Sequence, residues 1–200
     1  MRHGGFRRKI IRHVPCRHSA PCKEKGHKAY QAVGSLKKGI TLSCPWHMPE
    51  SDAISFAESR KEWIVRTIAR QEKELKKAME SGKCIESLPG KKETAELRRK
   101  AAGQLLPLIC RAASEHGFRY GKVSFRNNRS NWGSCSSKGN ININIKTVLL
   151  PEHLQEYIIL HELCHLKYLN HGKRFHALLD RLCSGREAEL SKELKEWKLL

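Results

Sequence analysis

Apolar residues recur with a helical period between residues 52 and 80. Ile54, Ala57, Ile64, Ile68, Leu75 and Met79 fall on one face, with acids and bases on the other. The pattern predicts one long helix with Ser51 or Asp52 as its N-cap. Gly82 and the Ser-Leu-Pro-Gly run at 87–90 end it. A second helix is predicted from about Glu93 to Glu115, burying Leu97, Ala101, Leu105, Leu108, Ile109 and Ala112. Pro107 should kink it and Gly117 should stop it. Residues 120–127 read as a strand. At 140–145 the period changes to two, which puts Ile141, Ile143 and Ile145 on one face and Asn140, Asn142 and Asn144 on the other. Pro151 opens a third helix expected to reach about Leu169. Shorter helices follow at 173–183 and 186–198, the last burying Leu190, Leu194 and Trp197.

Before residue 50 the pattern is weaker. Ala32-Val33 and Ile40-Thr41-Leu42 flank a turn rich in glycine and lysine, which is hairpin-like. The elements together predict an α+β protein with a basic, β-rich segment over residues 1–50 and a mainly helical domain over 51–200. Its 200 residues suffice for a sizeable core, and no apolar run approaches the roughly 18 residues of a membrane span. The first residues carry positive charge but no apolar stretch of the secretory kind, so a cytoplasmic location is expected.

Charge sharpens this picture. The chain has 39 Lys and Arg against 20 Asp and Glu, a net +19. The excess is uneven: 11 basic against 2 acidic side chains over residues 1–50, and 10 against 3 over 91–130. Such a field favours anionic partners, so a nucleic acid or nucleotide bound through the basic surface is one expectation, and simple solubility is the other. The 8 cysteines form no CxxC pair and are expected to be reduced thiols. Cys16, Cys22 and His27, with His18 between them, hint at a zinc knuckle, although the spacing is not a usual one.

The most informative segment is His161-Glu162-Leu163-Cys164-His165, an HExxH inside the third predicted helix. Residues four apart share a helix face, so His161 and His165 can offer ring nitrogens to one cation. Glu162 is close enough to reach a water on that cation rather than the cation itself. Zinc in catalytic sites takes three protein ligands and keeps one position for water. His171 is the available third ligand, ten residues after His161. Asn170 and Gly172 flank it, and both tolerate left-handed backbone, so the chain can turn after Leu169 and bring His171 back. Cys164 reads as a small buried hydrophobe; Cys135 reads as buried filler, the alternative being a thiol that competes for the metal.

Two motifs together resemble the YgjP-like, SprT-like zinc metallopeptidases of the zincin superfamily. One is Trp132-Gly133-Ser134-Cys135-Ser136 followed by Gly139-Asn140-Ile141-Asn142-Ile143-Asn144; the other is the HExxH followed by Asn170-His171 and Phe175. His176 stands where tryptophan is common in that group. The resemblance implies a zincin-like α+β fold with an N-terminal β-rich portion and long helices. It also implies Zn²⁺ held by His161, His165 and His171, Glu162 as the catalytic acid–base residue, and a peptide or protein substrate. In that scheme an edge strand beside the cleft pairs with an extended peptide, and residues 140–145 are expected to supply it, with Asn140, Asn142 and Asn144 as substrate-binding residues. Two other functions fit the charge: a metal-dependent hydrolase of nucleotides or phosphate compounds, and a nucleic-acid-associated protease. Against the first, the chain has no phosphate-cradling glycine loop, and three histidines without a bridging aspartate suit zinc better than magnesium.

Overall fold

A computed structural model describes residues 9–14, 31–35, 39–45 and 50–199. The chain divides into two compact units, residues 1–77 and 78–200. In the first, strands β1 (Lys9–Val14), β2 (Gln31–Ser35) and β3 (Gly39–Pro45) form a sheet in the order β1-β3-β2. The β2–β3 pairing is the hairpin read from the sequence, with Val33 opposite Thr41. β1 runs parallel to β3 and was not read, because its short apolar run carries no alternation or flanking turn signal. The Cys16, Cys22 and His27 cluster lies outside the described residues.

The single helix predicted over 52–80 is two: α1 (Glu50–Ser59) and α2 (Lys61–Glu80). The Ser59 hydroxyl donates to the Phe56 carbonyl (2.8 Å) and the Arg60 N–H donates to the Ala57 carbonyl (3.2 Å). These three-residue bonds replace the four-residue ladder at the break.

The second unit carries the site. β4 (Cys84–Ile85) precedes α3 (Lys91–Glu115), which buries Ala101, Leu105, Ile109 and Ala113 as a stripe every fourth residue. Pro107 lies inside α3. The helix stops as the sequence indicated: Gly117 takes φ +66°, and the Phe118 N–H donates to the Ala113 carbonyl (2.8 Å), closing the last turn. β5 (Val123–Arg126), β6 (Gly133–Cys135) and β7 (Ile141–Asn144) then form a sheet ordered β5-β7-β6. A short 3₁₀ turn at Ile145–Leu149 leads to α4 (Glu152–Cys164), α5 (Lys173–Leu182) and α6 (Glu187–Glu196), and β8 (Lys198–Leu199) pairs with β4. Among the described residues no helix is long and apolar enough to cross a membrane.

The core lies between the sheet, α3, α4 and α5. Ile143, Ile145, Leu154, Leu163, Phe175 and Leu179 are fully buried in it. Each such side chain stabilises the fold by about 1.5–3 kcal/mol through removal from water. α4 is buried on several faces, with Leu154, Tyr157, Ile158, Ile159 and Leu163 all covered. It is the central helix of the unit rather than a surface amphipath.

Residues 141–144 do not form an edge. β7 is parallel to β5 on one side and antiparallel to β6 on the other, so its main-chain groups are committed to neighbours. The isoleucines face the core as the alternation required, but the asparagines do not face a cleft. Asn140 accepts from the Lys122 N–H (2.9 Å), and Asn142 accepts from the Ser124 hydroxyl (3.3 Å). Asn144 is fully buried; its amide donates to the carbonyls of Asn128 (3.0 Å) and Asn131 (2.9 Å), and its oxygen accepts from the Lys146 N–H (3.1 Å). These side chains bind strands and loops to one another. A two-residue alternation records which residues share a face, not how many strands lie beside it.

Candidate metal centre

α4 places His161 and His165 one turn apart, with ring centroids 5.0 Å from each other. It ends at Cys164, five residues before the expected stop. His165 is its C-cap in helical backbone, and the N–H groups of Lys167 and Tyr168 both donate to the Cys164 carbonyl (3.0 Å each). The chain then turns without left-handed residues: Gly172 has φ −86°, and Ser184 is the one described non-glycine residue with positive φ. The turn therefore comes from tightening the last helical bonds, and it brings His171 over the end of α4.

There the three histidines converge. The Nε2 atoms of His161 and His171 are 3.0 Å apart, and the His165 and His171 rings are 4.6 Å apart. One nitrogen from each ring lies within 4.8 Å of the others. Nitrogens bound to one cation at about 2.0–2.1 Å stand roughly 3–4 Å apart, so the arrangement fits a single metal ion with little adjustment. The His165 Nδ1–H donates to the Tyr168 carbonyl (3.0 Å), which leaves Nε2 as the free lone pair. Burial, reinforced by the neighbouring histidines, pushes His161 down to about 4, and burial lowers His171 as well. Neutral imidazole is the ligating form.

Glu162 lies beside the triad and is 5% exposed. Burial pushes its carboxyl up to about 8, and Oε2 has no hydrogen-bond partner among the described residues. A buried carboxyl oxygen without a partner is costly; a cation nearby would bring the group back down to the ionised form a base needs, and its water would supply the missing partner. Cys135 is held as a neutral thiol by burial and then by the Glu162 charge, and it is not part of the histidine cluster. Cys164 points into the core, where burial pushes it up to about 12. His176 meets Glu187 (3.2 Å) on the surface.

Two residues at the site escaped sequence reasoning in these roles. Phe175, in the first turn of α5 and fully buried, stands 4.9, 4.6 and 4.6 Å from the ring centroids of His161, His165 and His171. It is the shared wall against which all three ligands rest. Gly133 on β6 faces Glu162 so closely that a Cβ there would lie 2.5 Å from Oε1 and 2.7 Å from Cδ and Cγ. An aromatic just after the third histidine and a glycine in a Trp-Gly-Ser-Cys run were the only hints.

Truncating Phe175 tests the first of these. Phe175→Ala should cost about 3–5 kcal/mol of stability by opening a cavity. It should also weaken metal binding about 10–100-fold, as loss of an orienting neighbour does. Thermal melts of the metal-free protein and competition against a chromophoric chelator separate the two effects. Unchanged affinity would show that the rings are held without it.

Three converging histidines, running from buried His165 to exposed His171, beside a buried carboxyl group are the donor set of a metal-dependent hydrolase. The family model described as YgjP-like, metallopeptidase domain matches residues 90–196, more than half of the chain, and the protein belongs to that family. It is a metallopeptidase. No curated protein sequence matches it. Two metallopeptidase zymogens are among the solved structures similar to it. The metallopeptidase zymogen of Pyrococcus abyssi abylysin shares 23% identity over 48% of this chain and 100% of its own, with a TM-score of 0.39. The metallopeptidase zymogen of Methanocaldococcus jannaschii jannalysin shares 23% over 46% and 97%, with a TM-score of 0.38.

Proposed function

We propose that the chain is a zinc-dependent peptidase that cleaves internal peptide bonds with Glu162 as general base. The observation that carries this reading is the convergence of His161, His165 and His171 beside a buried, unpartnered carboxylate. Three neutral imidazoles with no carboxylate among them suit zinc better than calcium or magnesium. When bound, the cation lowers the pKa of water and polarises a carbonyl.

The protein's own groups supply the rest. His161, His165 and His171 hold the ion, and the Tyr168 carbonyl fixes the His165 tautomer. Glu162 takes the proton from the attacking water and delivers it to the nitrogen of the leaving amine. Its burial keeps bulk water from competing for that proton. β6 is an outer strand of its sheet, and Gly133 lies against Glu162. An extended peptide adding to that edge by main-chain hydrogen bonds would run past the carboxylate. Asn140, Asn142 and Asn144 serve this site by holding β7 and the loop before β6 in place. Nothing in the described residues adds to the reading of a nucleic-acid partner.

Protein purified without chelator should carry about one zinc per chain, as a three-histidine site does. It should cleave casein, lose that activity to a chelator, and regain it with zinc. The double variant His161→Ala/His165→Ala should lose both metal and cleavage. Full metal content in that variant, by elemental analysis, would remove the ion from this site.

A further inference from the structure

A cavity of about 370 Å³ opens beside the centre, between β6, α4 and α6, with His161 and Glu162 in its lining. Its walls are Trp132, Tyr157, Ile158, Leu194 and Trp197, and Lys195 stands at its exposed rim. The volume is near the lower end for ligand pockets, which suits one large side chain better than an extended ligand. Apart from Glu162 itself, the lining contains no acid, and Lys195 is its one Lys or Arg. Asn131 also lines it, and one of its amide N–H groups donates to the Gly133 carbonyl (3.0 Å).

The Trp197 wall is fixed from both sides. Just before Trp197, Glu196 meets the Lys83 ammonium at 2.6 Å. Just after it, the Lys198 N–H donates to the Lys83 carbonyl (2.9 Å), and β8 pairs with β4. Trp197 is thus held at the cavity by a clasp on each neighbour. A wall held in advance loses little freedom when a ligand arrives.

We propose that this cavity selects the substrate: it takes a large apolar side chain, aromatic or long aliphatic, from a residue adjoining the scissile bond, and Lys195 rejects basic side chains there. The inference rests on the peptidase reading, since the cavity shares His161 and Glu162 with the site. Aromatic and aliphatic walls reward apolar area removed from water. A lysine or arginine entering would meet the Lys195 ammonium, and the one acid in the lining is the buried Glu162 of the metal centre.

The test uses the zinc-loaded full chain and a set of peptides differing only at the two residues flanking the cleaved bond. One of those positions should favour Phe, Leu and Met over Ala by about tenfold or more in kcat/KM, as pocket filling does elsewhere, and should disfavour Lys and Arg. Trp197→Ala should shrink the Phe-to-Ala ratio, and Trp197→Phe should largely keep it. Lys195→Glu, an exposed change that spares folding, should raise cleavage of the Lys and Arg peptides relative to Phe. Cleavage by the wild type with no preference at either position would overturn the pocket and leave the peptidase intact. So would ratios that neither variant moves. No cleavage of any peptide by the metal-loaded wild type would overturn the peptidase reading and the pocket with it.

Discussion

Glu162→Gln should bind zinc about as well as the wild type and hydrolyse peptides at least about a thousandfold more slowly, within the range expected for losing a general base. The amide keeps the length and planarity of the carboxylate, so it fits the space beside Gly133 where Glu162 is 5% exposed. What it loses is the ability to accept the proton of the attacking water. The metal ligands are other residues, so metal content should not fall, and the melting temperature is not expected to drop either. Single-turnover hydrolysis of a fluorogenic peptide, with metal content measured on the same samples, gives both numbers. A metal-loaded variant with wild-type turnover would show that the proton goes elsewhere.

The parts of this site that could be read in the sequence are those that depend on local spacing. His161 and His165 sit four residues apart, which makes them neighbours on any helix, and Glu162 follows from its place between them. The Ile141, Ile143 and Ile145 face was legible because alternation is also local. What stayed hidden depends on elements distant in the chain. The strand order β5-β7-β6 is a choice of partners 18 residues or more away in the chain for β5, and it converts the expected edge into the centre. The end of α4 at Cys164 was placed too late because Leu166 and Leu169 continue the apolar pattern after the hydrogen bonds have tightened into a turn. His171 reaches the site by a turn different from the expected one: its neighbours Asn170 and Gly172 avoid left-handed backbone. Phe175 is only one member of a motif in the sequence until the three rings are seen to share it. Trp197 reads as the apolar end of a last helix, and only the pairing of β8 with β4 shows why it is held at the cavity.

Gly133→Ala is expected to lower kcat/KM about a hundredfold with the metal still bound, because displacement of a catalytic group by about 1 Å costs on that order. The backbone at Gly133 does not use the left-handed region, so alanine can adopt its conformation. The obstacle is the carboxylate. A Cβ would stand 2.5 Å from Oε1 and 2.7 Å from Cγ, near the root of the side chain, where rotating only the end of the group cannot clear it. Glu162 must swing away from β6, and β6 must keep its pairing to β7, in which Gly133 lies opposite Ile143. Gly133 is therefore a positioning residue for the base: this effect runs through the carboxylate it faces, whatever contact its strand makes with the peptide. That route makes a specific non-additive pattern. In the Glu162→Gln background, Gly133→Ala should cost little further activity, because the group it displaces no longer takes a proton. Metal content and melting temperature of both variants guard against a general structural effect. A full hundredfold loss in the Glu162→Gln background would mean that Gly133 serves catalysis by another path, through the edge of β6 and the peptide that pairs with it.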